Sequence, residues 1–123
     1  MAYTTIQYEV IDKGVGMLSL NRPDNYNAVN HKMMEELEDF WKERLYDLET
    51  VVIILKGNGE KGFCAGLDMK ETMGPIIQFT PQELYRFQAR LARINLHMRR
   101  APQPIICAAH GAAAGQGLSF VLA

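Results

Sequence analysis

Two short apolar runs, Val51–Lys56 (VVIILK) and Ile105–Ala109 (IICAA), each lead into a loop of small residues and then into a helix signal. A short run without polar alternation reads as a buried strand, because both of its faces must be covered. The first loop ends in Phe63-Cys64-Ala65-Gly66-Leu67-Asp68, and the second is His110-Gly111-Ala112-Ala113-Ala114-Gly115-Gln116-Gly117. Glycine and alanine let a backbone come close to another group. The N–H groups at a helix start are free donors with positive dipole character. Two such donors, one from each loop, would form an oxyanion hole if they met on one oxygen. Whether they meet is decided by the fold.

The remaining elements follow from local pattern. Ile6, Tyr8 and Val10 alternate with Gln7 and Glu9, which predicts a half-buried strand. Asp12-Lys13-Gly14 is a turn signal, and Val15–Leu20 completes a hairpin before Asn21-Arg22-Pro23-Asp24 breaks the pattern. Asn30 is an N-cap for a helix over about 31–49. Met33, Met34, Leu37, Phe40, Trp41, Leu45 and Leu48 form its apolar stripe, which reads as core packing rather than a ligand groove. A short helix is expected from Asp68 to about Met73, and Gly74-Pro75 then opens a looser stretch. Thr80-Pro81-Gln82-Glu83 is a capping box with proline at the first helical position. Leu84, Phe87, Leu91, Ile94 and Met98 follow at helical spacing, and Arg99-Arg100 suit the negative end of that helix or, alternatively, a phosphate. Leu118–Ala123 looks like the first turns of a buried helix that lacks a C-cap, so the domain is expected to continue past Ala123.

Composition removes several classes of function. The 123 residues carry 13 Lys and Arg against 14 Asp and Glu, a net charge of −1, so there is no basic footprint for nucleic acid. No apolar run reaches the ~20 residues of a membrane helix. The opening Met-Ala-Tyr-Thr-Thr-Ile-Gln-Tyr lacks the parts of a secretory signal, and two cysteines make no disulfide framework, so a cytoplasmic location is expected. Gly57-Asn58-Gly59-Glu60-Lys61-Gly62 fits a dinucleotide fingerprint on paper. Its last glycine does not open a helix, and the motif does not sit on the first strand of a βαβ unit, so a flexible turn is the preferred reading. Ser119, His110 and Asp68 lack the nucleophile elbow of a triad. His31, His97 and His110 lack metal-ligand spacing.

Three blocks, taken together, carry a family resemblance: Asn21-Arg22-Pro23 with Asn27-Ala28-Val29-Asn30, then Gly62 to Glu71, then Pro104 to Gly117. In this order and spacing they resemble the crotonase (enoyl-CoA hydratase/isomerase) superfamily, across essentially the whole chain. The resemblance implies an α/β fold, a spiral of ββα units, of which residues 1–123 are the N-terminal part. It implies an acyl-CoA thioester as substrate, with coenzyme A entering as part of that substrate and no separate cofactor or metal. Assembly as a homotrimer or hexamer is implied as well.

By motif matching, the backbone N–H groups of Leu67 and Gln116 are the oxyanion-hole donors. The stretch Ala65, Gly66, Asp68, Met69 and Lys70, with Asn27 and Ala28 and with Gly115 and Gly117 of the second loop, is implied to contact the substrate and its CoA moiety. Ser119 stands where hydratases of the family carry a glutamate, and serine has no useful basicity near neutral pH. That departure favours isomerisation. The alternatives are a hydratase or lyase with a different base, or a non-catalytic CoA-binding half-domain. The other acid/base carboxylate is expected beyond Ala123.

Overall fold

The computed structural model describes residues 2–123. In chain order the elements are β1 (Ile6–Asp12), β2 (Val15–Leu20), α1 (His31–Arg44), β3 (Val52–Gly57), β4 (Gly62–Cys64), α2 (Met69–Ile77), α3 (Pro81–Arg100), β5 (Ile105–Ala108), β6 (Ala112–Ala113) and α4 (Gln116–Leu122). A single 3-10 turn, Pro23–Asn25, joins β2 to the approach of α1.

The main sheet has the order β1-β2-β3-β5. The hairpin β1–β2 is antiparallel, with Ile6 opposite Leu20. β2 and β3 run parallel with Leu18 beside Leu55, and β3 and β5 run parallel with Leu55 beside Cys107. Ile6, Leu18, Leu20, Ile53 and Leu55 point into the core, where α1 contributes Met33, Met34, Leu37, Phe40 and Trp41. Phe87, Ile94 and Met98 of α3 close it. The Met and aromatic stripe of α1 is thus core, as its spacing predicts. Both expected caps are made: Asn30 Oδ1 accepts from Met33 N at 2.9 Å, and Thr80 Oγ1 from Glu83 N at 3.2 Å.

Several expectations are corrected. Helix α1 ends at Arg44 rather than near Glu49, because the Asp47 carboxylate accepts from the N–H groups of Glu49 and Thr50 and from the Thr50 hydroxyl. A side chain that bonds the backbone locally competes with the helical ladder. Leu48 therefore lies 95% exposed instead of joining the stripe. β5 is an edge strand with Ile106 58% exposed, because β3 is its only partner among the described residues. Gly74 and Pro75 do not loosen the chain: α2 runs through them to Ile77, at the loss of one amide donor. α4 starts at Gln116, earlier than the apolar run suggests.

A second, two-stranded sheet, β4 parallel to β6, has no counterpart in the sequence reading. Its strands are three and two residues long and made of small residues, so no periodicity marks them. This small sheet joins the two glycine-rich loops.

Candidate active site

Where β3 ends, Gly57 packs against the backbone of β4: a Cβ there would lie 2.5 Å from Phe63 O. Gly62 then opens a strand, not a helix, which disposes of the dinucleotide reading of this loop. Ala114 N donates to Cys64 O at 3.1 Å, so the second loop continues the pairing of β6 past its end. Gly117 presses α4 onto the same carbonyl, since a Cβ at Gly117 would sit 2.2 Å from Cys64 O.

Gly66 holds a φ of +98°, open to glycine and strained for other residues. A Cβ on it would lie 3.0 Å from Ala114 O and 3.6 Å from Gln116 N, and one on Gly115 would lie 3.8 Å from Gly66 Cα. The Leu67 and Gln116 peptides therefore adjoin, although 49 residues of chain separate them.

The hydrogen bonding around Leu67 leaves its own N–H free. Val29 N donates to Gly66 O at 2.7 Å and Asp68 N donates to Val29 O at 2.8 Å. This parallel bridge uses the groups on either side of Leu67, and in extended chain Leu67's own N–H then faces the opposite way. Among the described residues neither Leu67 N–H nor Gln116 N–H has a protein acceptor. The Gln116 side chain is anchored elsewhere, Nε2 donating to Asn95 Oδ1 of α3 at 3.0 Å.

Beside Leu67 lies an open cleft of about 300 Å³, lined by Asp24, Asn25, Tyr26, Ala28, Leu67, Asp68, Met69 and Lys70. Five of these come from the residues singled out in the sequence. Tyr26, Asp24 and Asn25 were missed, and their only signal was adjacency to Asn27-Ala28. Asn27 sits behind the rim, fully buried, with Nδ2 donating to Asn58 O and Gly62 O and Oδ1 accepting from Arg22 N. Its side chain holds the loop rather than facing the cleft. Ala65 is exposed at the loop's apex, with its N–H donating to Tyr26 O. A wider cleft, about 640 Å³, is lined instead by Tyr8, Val10, Lys13, Gly14, Arg44, Asp47, Glu49 and Thr50. There Arg44 is already stacked on the Tyr8 and Phe40 rings, and the Glu49 and Thr50 N–H groups are taken by Asp47.

Asp68 caps α2, accepting from Lys70 N and Glu71 N, and pairs with Arg22 at 2.9 Å. Burial raises its carboxyl, but the Arg22 guanidinium and the two N–H groups outweigh this and hold it below the ordinary carboxylate range. Burial pushes the Cys64 thiol up, partly offset by the Gly66 N–H, so Cys64 is no nucleophile. Ser119 is half-buried one turn into α4, with Oγ 3.4 Å from Gly115 O. His110 lies against Gly59 O at 2.8 Å, and Asp68 is committed to Arg22, so Ser119, His110 and Asp68 form no triad. His31 packs edge-on to Phe87, apart from His110 in its contacts. Arg99 and Arg100 are exposed at the end of α3.

A main sheet extended by parallel strands, with a small second sheet beside it, matches part of the crotonase fold. A crystal structure of enoyl-CoA hydratase from Bacillus anthracis superimposes with a TM-score of 0.86 at 29% identity, covering 97% of this chain and 45% of that one. The chain belongs to the enoyl-CoA hydratase/isomerase family, a family of enzymes, whose model matches residues 15–123. It is 34% identical over 91% of its length to the 1,2-epoxyphenylacetyl-CoA isomerase of Escherichia coli, and 32% identical over 92% to the (E)-benzylidenesuccinyl-CoA hydratase of Thauera aromatica. It spans 42% of the length of each of these relatives. Among the described residues no helix is long and apolar enough to cross a membrane.

Proposed function

We propose that this chain supplies the carbonyl-polarising part of an acyl-CoA active site, with the thioester oxygen accepting from the N–H groups of Leu67 and Gln116. The observation that carries this reading is the pair of unpartnered donors on adjoining loops. Removal of a proton from the carbon next to the thioester sends an electron pair onto the carbonyl oxygen. Fixed N–H donors stabilise that developing charge more than the neutral carbonyl, which lowers the barrier. Return of the proton two carbons further along converts a β,γ-enoyl-CoA into its α,β-isomer. The adjacent cleft holds the CoA moiety along Ala28, Met69 and Lys70, and coenzyme A arrives with the substrate. The whole protein works in the cytoplasm as a homotrimer or hexamer.

Isomerisation is favoured over hydration because Ser119 and Asp68, the described residues that the sequence placed nearest this role, are poor bases to hold an attacking water. Ser119 lacks basicity, and Asp68, held low by Arg22, is too weak a base. The proton is therefore carried by a carboxylate from elsewhere in the whole site.

The test compares Leu67→Ala with Leu67→Pro in the native protein, following β,γ-enoyl-CoA isomerisation and crotonyl-CoA hydration by absorbance. Leu67→Ala keeps the N–H and should retain most isomerase activity. Leu67→Pro removes it and should lose about 10²–10³ in rate, with folding checked by circular dichroism. A folded Leu67→Pro protein that turns over normally overturns the donor assignment. Hydration faster than isomerisation in the unmodified protein overturns the preference for isomerase.

A further inference from the structure

We propose that Arg22 is the positioning residue of the Leu67 donor, an inference that rests on the oxyanion reading above. One nitrogen of its guanidinium, Nη1, donates to Ala28 O at 2.6 Å and to Asp68 Oδ2 at 2.9 Å. These two acceptors sit on the two segments that frame Leu67. Ala28 precedes Val29, whose N–H and carbonyl bracket Leu67 through Gly66 O and Asp68 N. Asp68 follows Leu67 directly. A single planar group thus ties together both sides of the peptide whose N–H must point at the substrate.

The fork is itself held. Arg22 N donates to Asn27 Oδ1 at 2.8 Å, and Nη2 reaches Glu71 Oε2 at 3.4 Å. The Glu71 contact is half exposed and contributes little. The Asp68 contact is enclosed, with the Arg22 side chain only 12% exposed. The Asp68 carboxylate also fixes the first turn of α2 through Lys70 N and Glu71 N, so the start of that helix and the Leu67 peptide move as one body. Lysine replaces this group only in part. Its ammonium has donors enough for Ala28 O and Asp68, which Nη1 serves alone, but it lacks the second nitrogen and the planar group that aims the first.

Arg22 touches no reacting atom, so its effect is carried by the direction of the Leu67 N–H. Misplacing a catalytic group by about 1 Å costs about a hundredfold in rate. The test uses the native protein with Arg22→Met and Arg22→Lys, and 4-dimethylaminocinnamoyl-CoA as a probe whose absorbance shifts to the red when its carbonyl is polarised. Arg22→Met should lose at least half of the red shift of the bound probe and about ten- to a hundredfold in kcat, with KM within threefold of the unmodified protein. Arg22→Lys should fall between the two. If Arg22→Met does not fold, Arg22→Lys decides alone.

A folded variant with the full red shift and full kcat overturns the proposal. So does a variant in which stability, kcat and KM fall together while each bound probe keeps its full shift, since Arg22 would then be purely structural. Leu67→Pro separates this proposal from the reading beneath it. If Leu67→Pro keeps the red shift, the donor assignment itself fails. If it abolishes the shift while Arg22→Met does not, only the role of Arg22 fails.

Discussion

Replacing Gly117 with alanine tests how the two loops are locked together. Gly117 is buried in the first turn of α4 against β4. The added Cβ would lie 2.2 Å from Cys64 O and 2.9 Å from Cys64 C and Cβ. A carbon and a carbonyl oxygen rest at about 3.3 Å even in close contact, so the helix must withdraw by about 1 Å. Cys64 cannot yield instead, because its carbonyl accepts Ala114 N and its strand pairs with β6. Overpacking of this kind costs ~1–3 kcal/mol. The same withdrawal carries the Gln116 N–H away from Leu67, and a displacement of about 1 Å costs about a hundredfold in rate. Urea denaturation should show the lost stability, and enoyl-CoA turnover the lost rate. Gly74→Ala is the control: it lies exposed in α2, and beyond its chain neighbours nothing lies within 4 Å of the new Cβ. It should leave turnover unchanged and move stability by less than about 1 kcal/mol, because the helical preference of alanine is set against contact of its Cβ with the Pro75 ring that follows. A Gly117→Ala protein as stable and as active as the unmodified one would refute the close-packing argument.

Asp68→Asn should flatten the acid side of the stability profile. The folded carboxyl titrates below its unfolded value, so the unfolded chain binds more protons there and stability rises with pH. That contribution is complete above the ordinary carboxylate range and fades as pH falls below about 4, which urea midpoints across pH would follow. Asn27→Ala should cost about 3 kcal/mol, since it strips partners from Arg22 N, Asn58 O and Gly62 O. It also places alanine at a φ of 53°, and a thermal melt would read the sum. Ser119→Glu in the native protein should raise crotonyl-CoA hydration relative to isomerisation, and an unchanged ratio would show that a carboxylate at this position cannot reach the water.

The amino-acid sequence by itself determined whatever depends on neighbours in the chain. The β1–β2 hairpin follows from alternation and Asp12-Lys13-Gly14, and α1 from its stripe and the Asn30 cap. α3 follows from the Thr80-Pro81-Gln82-Glu83 box, because capping and amphipathic burial act within a few residues. The three blocks around Asn27, Gly66 and Gly115 marked the family for the same reason: their residue types are visible without a fold. Where a competing contact is local but polar, the pattern misleads, as when Asp47 stops α1 at Arg44, before its apolar stripe ends at Leu48. Tertiary structure alone decided the rest. Whether β5 is central or at an edge depends on which strands pair with it, and the β4–β6 pairing joins strands too short to carry a period. Asn27 faces inward because Gly62 O and Asn58 O are there to receive it, and Arg22 meets Asp68 across 46 positions of chain. The adjacency of Leu67 and Gln116 belongs to this second class. Gly66 and Gly117 permit it by lacking side chains, but the β4–β6 pairing and the Ala114 to Cys64 bond create it, and such contacts exist only once distant segments have been packed together.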